Sequence, residues 1–302
     1  MKLGFLGSRD KGGAGFLGRL RGRNVRSPWV KLPWSLAVAS GKGGTGKTVM
    51  TANLSTMLCM DGNKSAIFDA DLGVANTHLL LGVEPTRNVA QVIAGRTTLR
   101  EASMASPFGP RIVPGGSGIS DLASLSAQEL LRLAGDFRPL EEGMDYLLLD
   151  CAAGISVQTI LFLQAADDVL VVTNPDFTAM TDAYALIKVL YQRDPHKRVS
   201  VVVNRVREQR QAEEVARRLQ GVCHRFLDKE LLFLGGIEED PVVPRSISRR
   251  RPFVVDAPRS RAACNLRQVR DRLLGQGEPG DRKPGGRRQE GYGDRLERAL
   301  GT

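Results

Sequence analysis

Aromatic and cysteine residues are scarce in this sequence. Phe, Trp and Tyr make up 5% of its 302 residues, and the four cysteines (Cys59, Cys151, Cys223 and Cys264) include no Cys-x-x-Cys pair. Neither a disulfide framework nor a zinc site is signalled, and a reducing cytosol fits this usage. No apolar run approaches the roughly 18 residues of a membrane span, and residues 1–33 lack the continuous apolar stretch of a secretory signal. What is present is 42% hydrophobic residues, mostly aliphatic, enough for a packed core. The length suits one large α/β domain or two small ones.

Acidic residues are also fewer than basic ones, 33 against 43, for a net charge of +10. The surplus is unevenly placed. Residues 1–33 hold eight bases and one acid, residues 276–302 hold six and five, and residues 34–275 are left with +2. A basic balance points to an anionic partner, so the candidate for that partner is the N-terminal arm. The arm is rich in Gly and repeats Gly-Phe-Leu-Gly at 4–7 and 15–18. That spacing would align Phe5 and Phe16 on one helix face, but each glycine costs roughly 1 kcal/mol inside a helix. A flexible basic leader is expected, with ordering on an anionic membrane or a partner as the alternative.

From Trp34 onward, short apolar runs alternate with amphipathic stretches, the pattern of βα units around a parallel sheet. Strands are predicted at 35–39, 65–69, 111–113, 145–150, 168–173, 199–204 and 231–234. Helices are predicted at 48–59, 127–133, 157–165, 179–191, 211–219 and 262–274. The expected architecture is a single doubly wound, mostly parallel α/β domain over 34–275, between a flexible arm (1–33) and a Gly/Pro/Arg-rich tail (276–302).

Between the first predicted strand and helix stands Gly41-Lys42-Gly43-Gly44-Thr45-Gly46-Lys47-Thr48, which satisfies the P-loop pattern in the setting it requires. Glycines let successive backbone N–H groups turn inward onto phosphate oxygens, and the helix N-terminus adds its dipole. Lys47 is assigned to the β- and γ-phosphates and the Thr48 hydroxyl to Mg2+. The apolar run ending at Asp150 supplies the acidic residue that such a site needs on a neighbouring strand. Asp69-Ala70-Asp71 ends another strand, with both carboxylates on one face. One of them can support the hydrated Mg2+ while the other reaches a water. A pair of turn carboxylates is the plainer alternative.

Lys42, a second lysine inside the P-loop, makes the sequence resemble the MinD/ParA (SIMIBI) ATPases with a deviant Walker A motif, over about 34–274. The resemblance implies binding and slow hydrolysis of ATP with Mg2+. It also implies that Lys42 crosses a nucleotide-sandwich homodimer to the partner's phosphates. Asp69 to Asn76 resembles switch I, with Asp71 orienting the attacking water, and Asp150 to Ile155 resembles Walker B and switch II. Asn174 and Asn204 match segments near the nucleotide, with Asn204 as the adenine contact. Either could instead be a strand-end residue satisfying backbone groups.

Segments 182–190 and 225–235 look most like the FlhG (FleN, YlxH) branch, which implies control of flagellar number and placement and a GTPase partner of the FlhF type. An Asp-Gln-Ala motif in the arm is absent, Cys151-Ala152 replaces the usual Ser/Thr-Pro/Gly pair, and Glu238 stands where proline is usual. Division-site placement of the MinD type and DNA partition of the ParA type are the alternatives. DNA binding is the less favoured because the domain is near neutral, although Arg249-Arg250-Arg251 offers a local patch. The expected location is cytoplasmic, including peripherally on the inner membrane. Residues 294–300 would supply a short helix with Leu296, Ala299 and Leu300 on one face, or a frayed tail.

Overall fold

The computed structural model describes residues 30–73, 75–116, 125–275, 287–288 and 290–301. Strand β1 (Val30–Lys31) leads into β2 (Trp34–Ala39), whose six residues are all buried, as a parallel strand covered on both faces requires. Helix α1 (Lys47–Met60) follows the P-loop and returns to β3 (Ser65–Ala70). Three short helices, α2 (Thr77–Leu80), α3 (Val89–Ile93) and α4 (Leu99–Ala102), then bring the chain to β4 (Met104–Ala105) and β5 (Arg111–Val113).

The remaining elements repeat a strand-helix unit. Helix α5 (Ala127–Glu141) opens on a capping box between Ser126 and Glu129. It precedes β6 (Tyr146–Cys151), α6 (Val157–Ala165), β7 (Asp168–Thr173) and α7 (Phe177–Arg193). Then come β8 (Arg198–Val206), α8 (Gln209–Leu227), β9 (Leu232–Glu238), α9 (Val242–Ser248), α10 (Phe253–Asp256) and α11 (Arg261–Gly275). Strand β10 (Arg287–Arg288) pairs antiparallel with β1, and α12 (Tyr292–Leu300) closes the described chain.

The main sheet has eight strands in the order β4-β5-β3-β6-β2-β7-β8-β9, parallel except for β4. Helices α5 to α8 and α12 pack on one face, and α1, α10 and α11 on the other. This is the expected doubly wound architecture, and all seven predicted strands are present. The additional edge strand β4 has two residues, too few to show a period in sequence. Helix α8 runs eight residues past its predicted end because Gly221 lies on its exposed side, where a helical glycine costs only its own propensity.

The C-terminal helix corrects an expectation. Neither a frayed tail nor an apolar face free for a membrane is found: Tyr292 and Leu296 are fully buried within the core formed by α5 and α6. The Tyr292 and Phe137 ring centroids lie 4.7 Å apart. Gly293 allows the close approach, since a Cβ there would fall 2.4 Å from the Ala134 carbonyl oxygen. Arg295 reaches the Ala165 carbonyl at 2.6 Å and Asp167 at 3.1 Å. The sequence showed an amphipathic helix but not what covers it.

Glu141 accepts the Tyr292 N–H at 2.5 Å, capping α12 from another helix, and burial pushes its carboxyl up to about 7. Leu296→Ala is expected to lower the unfolding free energy by about 2–5 kcal/mol in urea titration; an exposed site would move it by less than about 0.5 kcal/mol. A carboxyl with a higher pKa folded than unfolded favours folding at low pH. This contribution therefore declines as pH rises from 4.5 to about 7 and is flat above. Glu141→Gln is expected to remove that decline from the pH profile of the urea midpoint.

Candidate functional site

Strand β2 ends at Ala39 and the chain turns through Ser40 to Gly46 before α1 begins at Lys47. Two glycines carry the turn in the left-handed region, Gly44 at φ 76° and Gly46 at φ 99°. A side chain on Gly46 would also meet Asn204, with Cβ 2.2 Å from Nδ2. Gly43 and Gly44 face open space, so the inside of the loop is a cradle. The N-cap Gly46 offers no side chain to the first turn of α1, which leaves those amides for an external acceptor. The buried Thr45 hydroxyl has no hydrogen-bond partner. An oxyanion in the loop would satisfy both.

The acidic half of the site comes from register. Asp69 and Asp150 are paired residues of the adjacent parallel strands β3 and β6, and both are buried. Burial first, and then the Asp150 charge, holds the Asp69 carboxyl well above its usual range. Burial also raises Asp150, partly offset by a hydrogen bond from Thr48 and the charge of Lys47. Thr77 ties the two acids together: its N–H donates to Asp69 Oδ2 at 3.2 Å and its hydroxyl to Asp150 Oδ2 at 2.9 Å. Thr51 Oγ1 lies 3.4 Å from Asp150 Oδ1.

Two neighbouring buried carboxylates and the Thr48 hydroxyl form an all-oxygen donor set that suits Mg2+. Among the described residues no group of three or more His, Cys, Asp or Glu side chains could hold a metal by itself. Phosphate and water would have to complete the shell, as is usual for Mg2+ at nucleotide sites.

Beside the P-loop is a cavity of about 560 Å³, lined by Gly46 and Asn204 and by residues of the 237–253 segment, among them Pro241 and Phe253. Val49, Met50 and Ile237 give it the apolar walls a nucleobase needs. Asn204 donates through Nδ2 to the Thr45 carbonyl at 2.7 Å, which leaves its Oδ1 to accept from an amino group.

The P-loop residues, Asp69, Asp150 and Asn204 are thus brought together. Asp71 follows at half exposure, its N–H donating to Asp69 Oδ1 at 3.2 Å. Asn174 follows β7, which flanks the P-loop strand β2; it is buried, accepts from the Asp176 N–H at 3.2 Å, and does not line this cavity. That bond makes it a turn cap, and its amide nitrogen remains a donor at the same end of the sheet as the P-loop. Lys42 is exposed and donates to Thr178 of α7 at 2.8 Å. Cys151 is fully buried with its thiol pushed up by burial, so it is a packed side chain and no nucleophile.

Sequence reasoning missed Thr77, Thr51, Thr178 and the 241–253 segment. Thr51 carried a signal, four residues after Lys47 on the same helix face. The others reach the site only through tertiary packing.

The profile of the CobQ/CobB/MinD/ParA nucleotide binding domain matches residues 36–253. The chain belongs to the MinD/ParA family. Within the MinD/ParA family it is similar to the antiactivator FleN of Pseudomonas aeruginosa, 37% identical over 79% of this chain and 85% of that one. The flagellum site-determining protein YlxH of Helicobacter pylori is 32% identical over 81% and 83% of the two chains. The solved structure of the septum site-determining protein MinD of Pyrococcus horikoshii, complexed with Mg-ADP, superposes with a TM-score of 0.68 at 26% identity. It covers 80% of this chain and 96% of that chain. The chain is accordingly an ATPase of the MinD/ParA family.

Lys47→Ala is expected to weaken Mg-ATP binding by at least about tenfold in isothermal titration, the cost of losing a charged hydrogen-bond partner, with the circular dichroism spectrum unchanged.

Proposed function

We propose that this ATPase is a dimerising molecular switch that regulates the number and placement of flagella. The observation that carries the dimer is the surface around the P-loop mouth. Lys42 is exposed there, and large apolar side chains are exposed on the segments at the same end of the sheet: Ile155 at 49%, Val157 at 73% and Phe177 at 76%. Ile155 and Val157 follow β6 at the end of the sheet that carries the P-loop, and Phe177 precedes the Thr178 that holds Lys42. An apolar collar around a phosphate cradle suits closure by a second copy, which would cover the collar and receive Lys42.

In this account Lys47 neutralises the phosphates of ATP, Lys42 does so across the dimer, and Asp71 orients the attacking water. Thr48, Asp69 and Asp150 would hold Mg2+, which neutralises phosphate charge. Asn204 reads the adenine amino group. Thr77 and the Asp71 N–H fasten the switch I segment to Asp69 at both ends, so a change at that carboxylate moves the loop. Such a switch works because the γ-phosphate makes contacts in one state that are absent in the other. Turnover is slow until a partner stimulates it.

The flagellar role rests on the similarity to FleN and YlxH, and a GTPase of the FlhF type is the proposed partner. Cytoplasmic placement with a peripheral contact on the inner membrane belongs to the same proposal. DNA partition is the less favoured reading because residues 34–275 carry only +2; in the arginine triplet Arg249 and Arg251 share Asp256, and Arg251 also lies over the Phe108 ring. Deleting the gene is expected to change flagellar number; altered septa would support the MinD-type role instead.

Asp71→Ala is expected to bind ATP and accumulate a species of twice the monomer mass in size-exclusion chromatography. A protein that binds ATP but stays monomeric would overturn the dimer. Phe177→Asp, added to Asp71→Ala, is expected to weaken that dimer at least about tenfold, the cost of one well-buried aromatic anchor.

A further inference from the structure

The net charge of +2 over residues 34–275 conceals an asymmetry. Residues 241–275 hold nine arginines, no lysine and only two acids, Asp256 and Asp271, for +7, so residues 34–240 carry −5. The arginines lie on α9, on α11 and in the turns around α10, and these helices pack in one layer with α1 on the same face of the sheet. Several are engaged inside the fold: Arg249 and Arg251 share Asp256, Arg261 pairs with Glu238 at 3.3 Å and Arg270 with Asp61 at 2.7 Å. Arg245, Arg250, Arg259 and Arg267 are exposed, and among the described residues none of the four pairs with a carboxylate. Arg245 donates from Nε to the Pro241 carbonyl at 3.1 Å and Arg267 from Nη2 to the Pro258 carbonyl at 3.2 Å, which leaves each guanidinium further donors for an acceptor outside the fold.

Helix α9 faces two ways. Val243, Pro244 and Ile247 line the nucleotide cavity, while Arg245 and Arg249 stand in solvent. Ile247 is still 40% exposed, so it belongs to the cavity wall and to the outer surface at once. The turn after α9 is held from behind. Arg250 has φ 52°, in the left-handed region that non-glycine residues rarely adopt, and its carbonyl oxygen would lie 3.3 Å from a Cβ on Gly82. Gly82 follows α2, the helix that begins at Thr77, and Arg251 lies over the Phe108 ring. The arginine face is therefore built on a wall of the nucleotide cavity and packs against the chain that follows switch I.

We propose that the arginine face of α9 to α11 is a docking surface for an acidic protein segment, and that docking there steadies the cavity wall and slows nucleotide release. Arginine suits such a partner, because its planar fork matches a carboxylate bidentately. The exposed part of Ile247 offers an apolar anchor between Arg245 and Arg250. A nucleic acid fits this face less well. The carboxylates of Glu239, Asp256 and Asp271 are interspersed with the arginines and would repel a phosphate backbone. Among the described residues, the face also exposes no large aromatic side chain on which a base could stack. The inference goes beyond the nucleotide switch and needs neither the dimer nor the flagellar role.

The test is the release of a fluorescent ADP from the full chain in stopped flow, with and without a synthetic peptide of repeated Glu-Leu-Glu-Glu units. The peptide is expected to tighten ADP by about fivefold or more, seen mainly as slower release, and a Gln-Leu-Gln-Gln peptide to leave it unchanged. Arg245→Gln, Arg250→Gln, Arg259→Gln and Arg267→Gln together should abolish the effect, with release in the absence of peptide at the wild-type rate. Arg259→Gln with Arg267→Gln, which leaves α9 and its turn intact, should weaken the effect and keeps the test open should the quadruple variant misfold. Removing the same charge from the arm, with Arg9→Gln, Arg19→Gln, Arg21→Gln and Arg23→Gln, should change nothing. An arm variant that loses the effect as fully as the face variant, or an acidic peptide that leaves release unaltered at every concentration, would overturn the proposal. Duplex DNA that slows release as strongly as the acidic peptide would overturn it too, by assigning the face to nucleic acid.

Discussion

Strands β3, β6 and β2 lie side by side, run in the same direction and stop at nearly the same level. Asp69 pairs in register with Asp150, and Asp150 with Val38, two residues before the loop that begins at Ser40. Parallel pairing fixes side-chain direction as well as height, so both acids emerge on one face at the mouth of the glycine loop. A slip of one residue in either strand would turn a carboxylate to the opposite face. The apolar residues buried on both sides of these strands therefore hold the charge geometry at their ends.

That geometry carries a built-in tension. Two carboxylates and a lysine sit where almost no water reaches, and burial raises both acids, Asp69 well above its usual range. Relief comes from whatever brings positive charge to the acids and negative charge to Lys47 and the loop amides. Nucleotide with its metal ion supplies both, and Thr77 passes the consequence to the following loop by bonding to both acids. In the proposed switch, binding and conformational response would be joined at Asp69 and Asp150 without a long relay.

Much of this was legible in the sequence, because the informative features are local. The P-loop needs eight consecutive residues, Asp150 ends an unbroken apolar run, and the buried parallel strands announce themselves by composition. Features that depend on distant contacts were not legible. Helix α12 shows its apolar face in sequence, yet only the fold reveals that Phe137 and the Ala134 carbonyl lie against it. Thr77 and Thr178 have no distinguishing neighbours. Asn174 and Asn204 looked alike as strand-end amides, and only the fold shows that the first accepts from the Asp176 N–H while the second donates to the Thr45 carbonyl of the P-loop.

The central claim is that one bound γ-phosphate decides whether two copies associate. Sedimentation velocity of the wild-type chain with Mg2+ and either a non-hydrolysable ATP analogue or ADP tests it most directly. The account requires a dimer with the analogue and a monomer with ADP. The same sedimentation coefficient in both nucleotides, at concentrations that saturate the site, would contradict it.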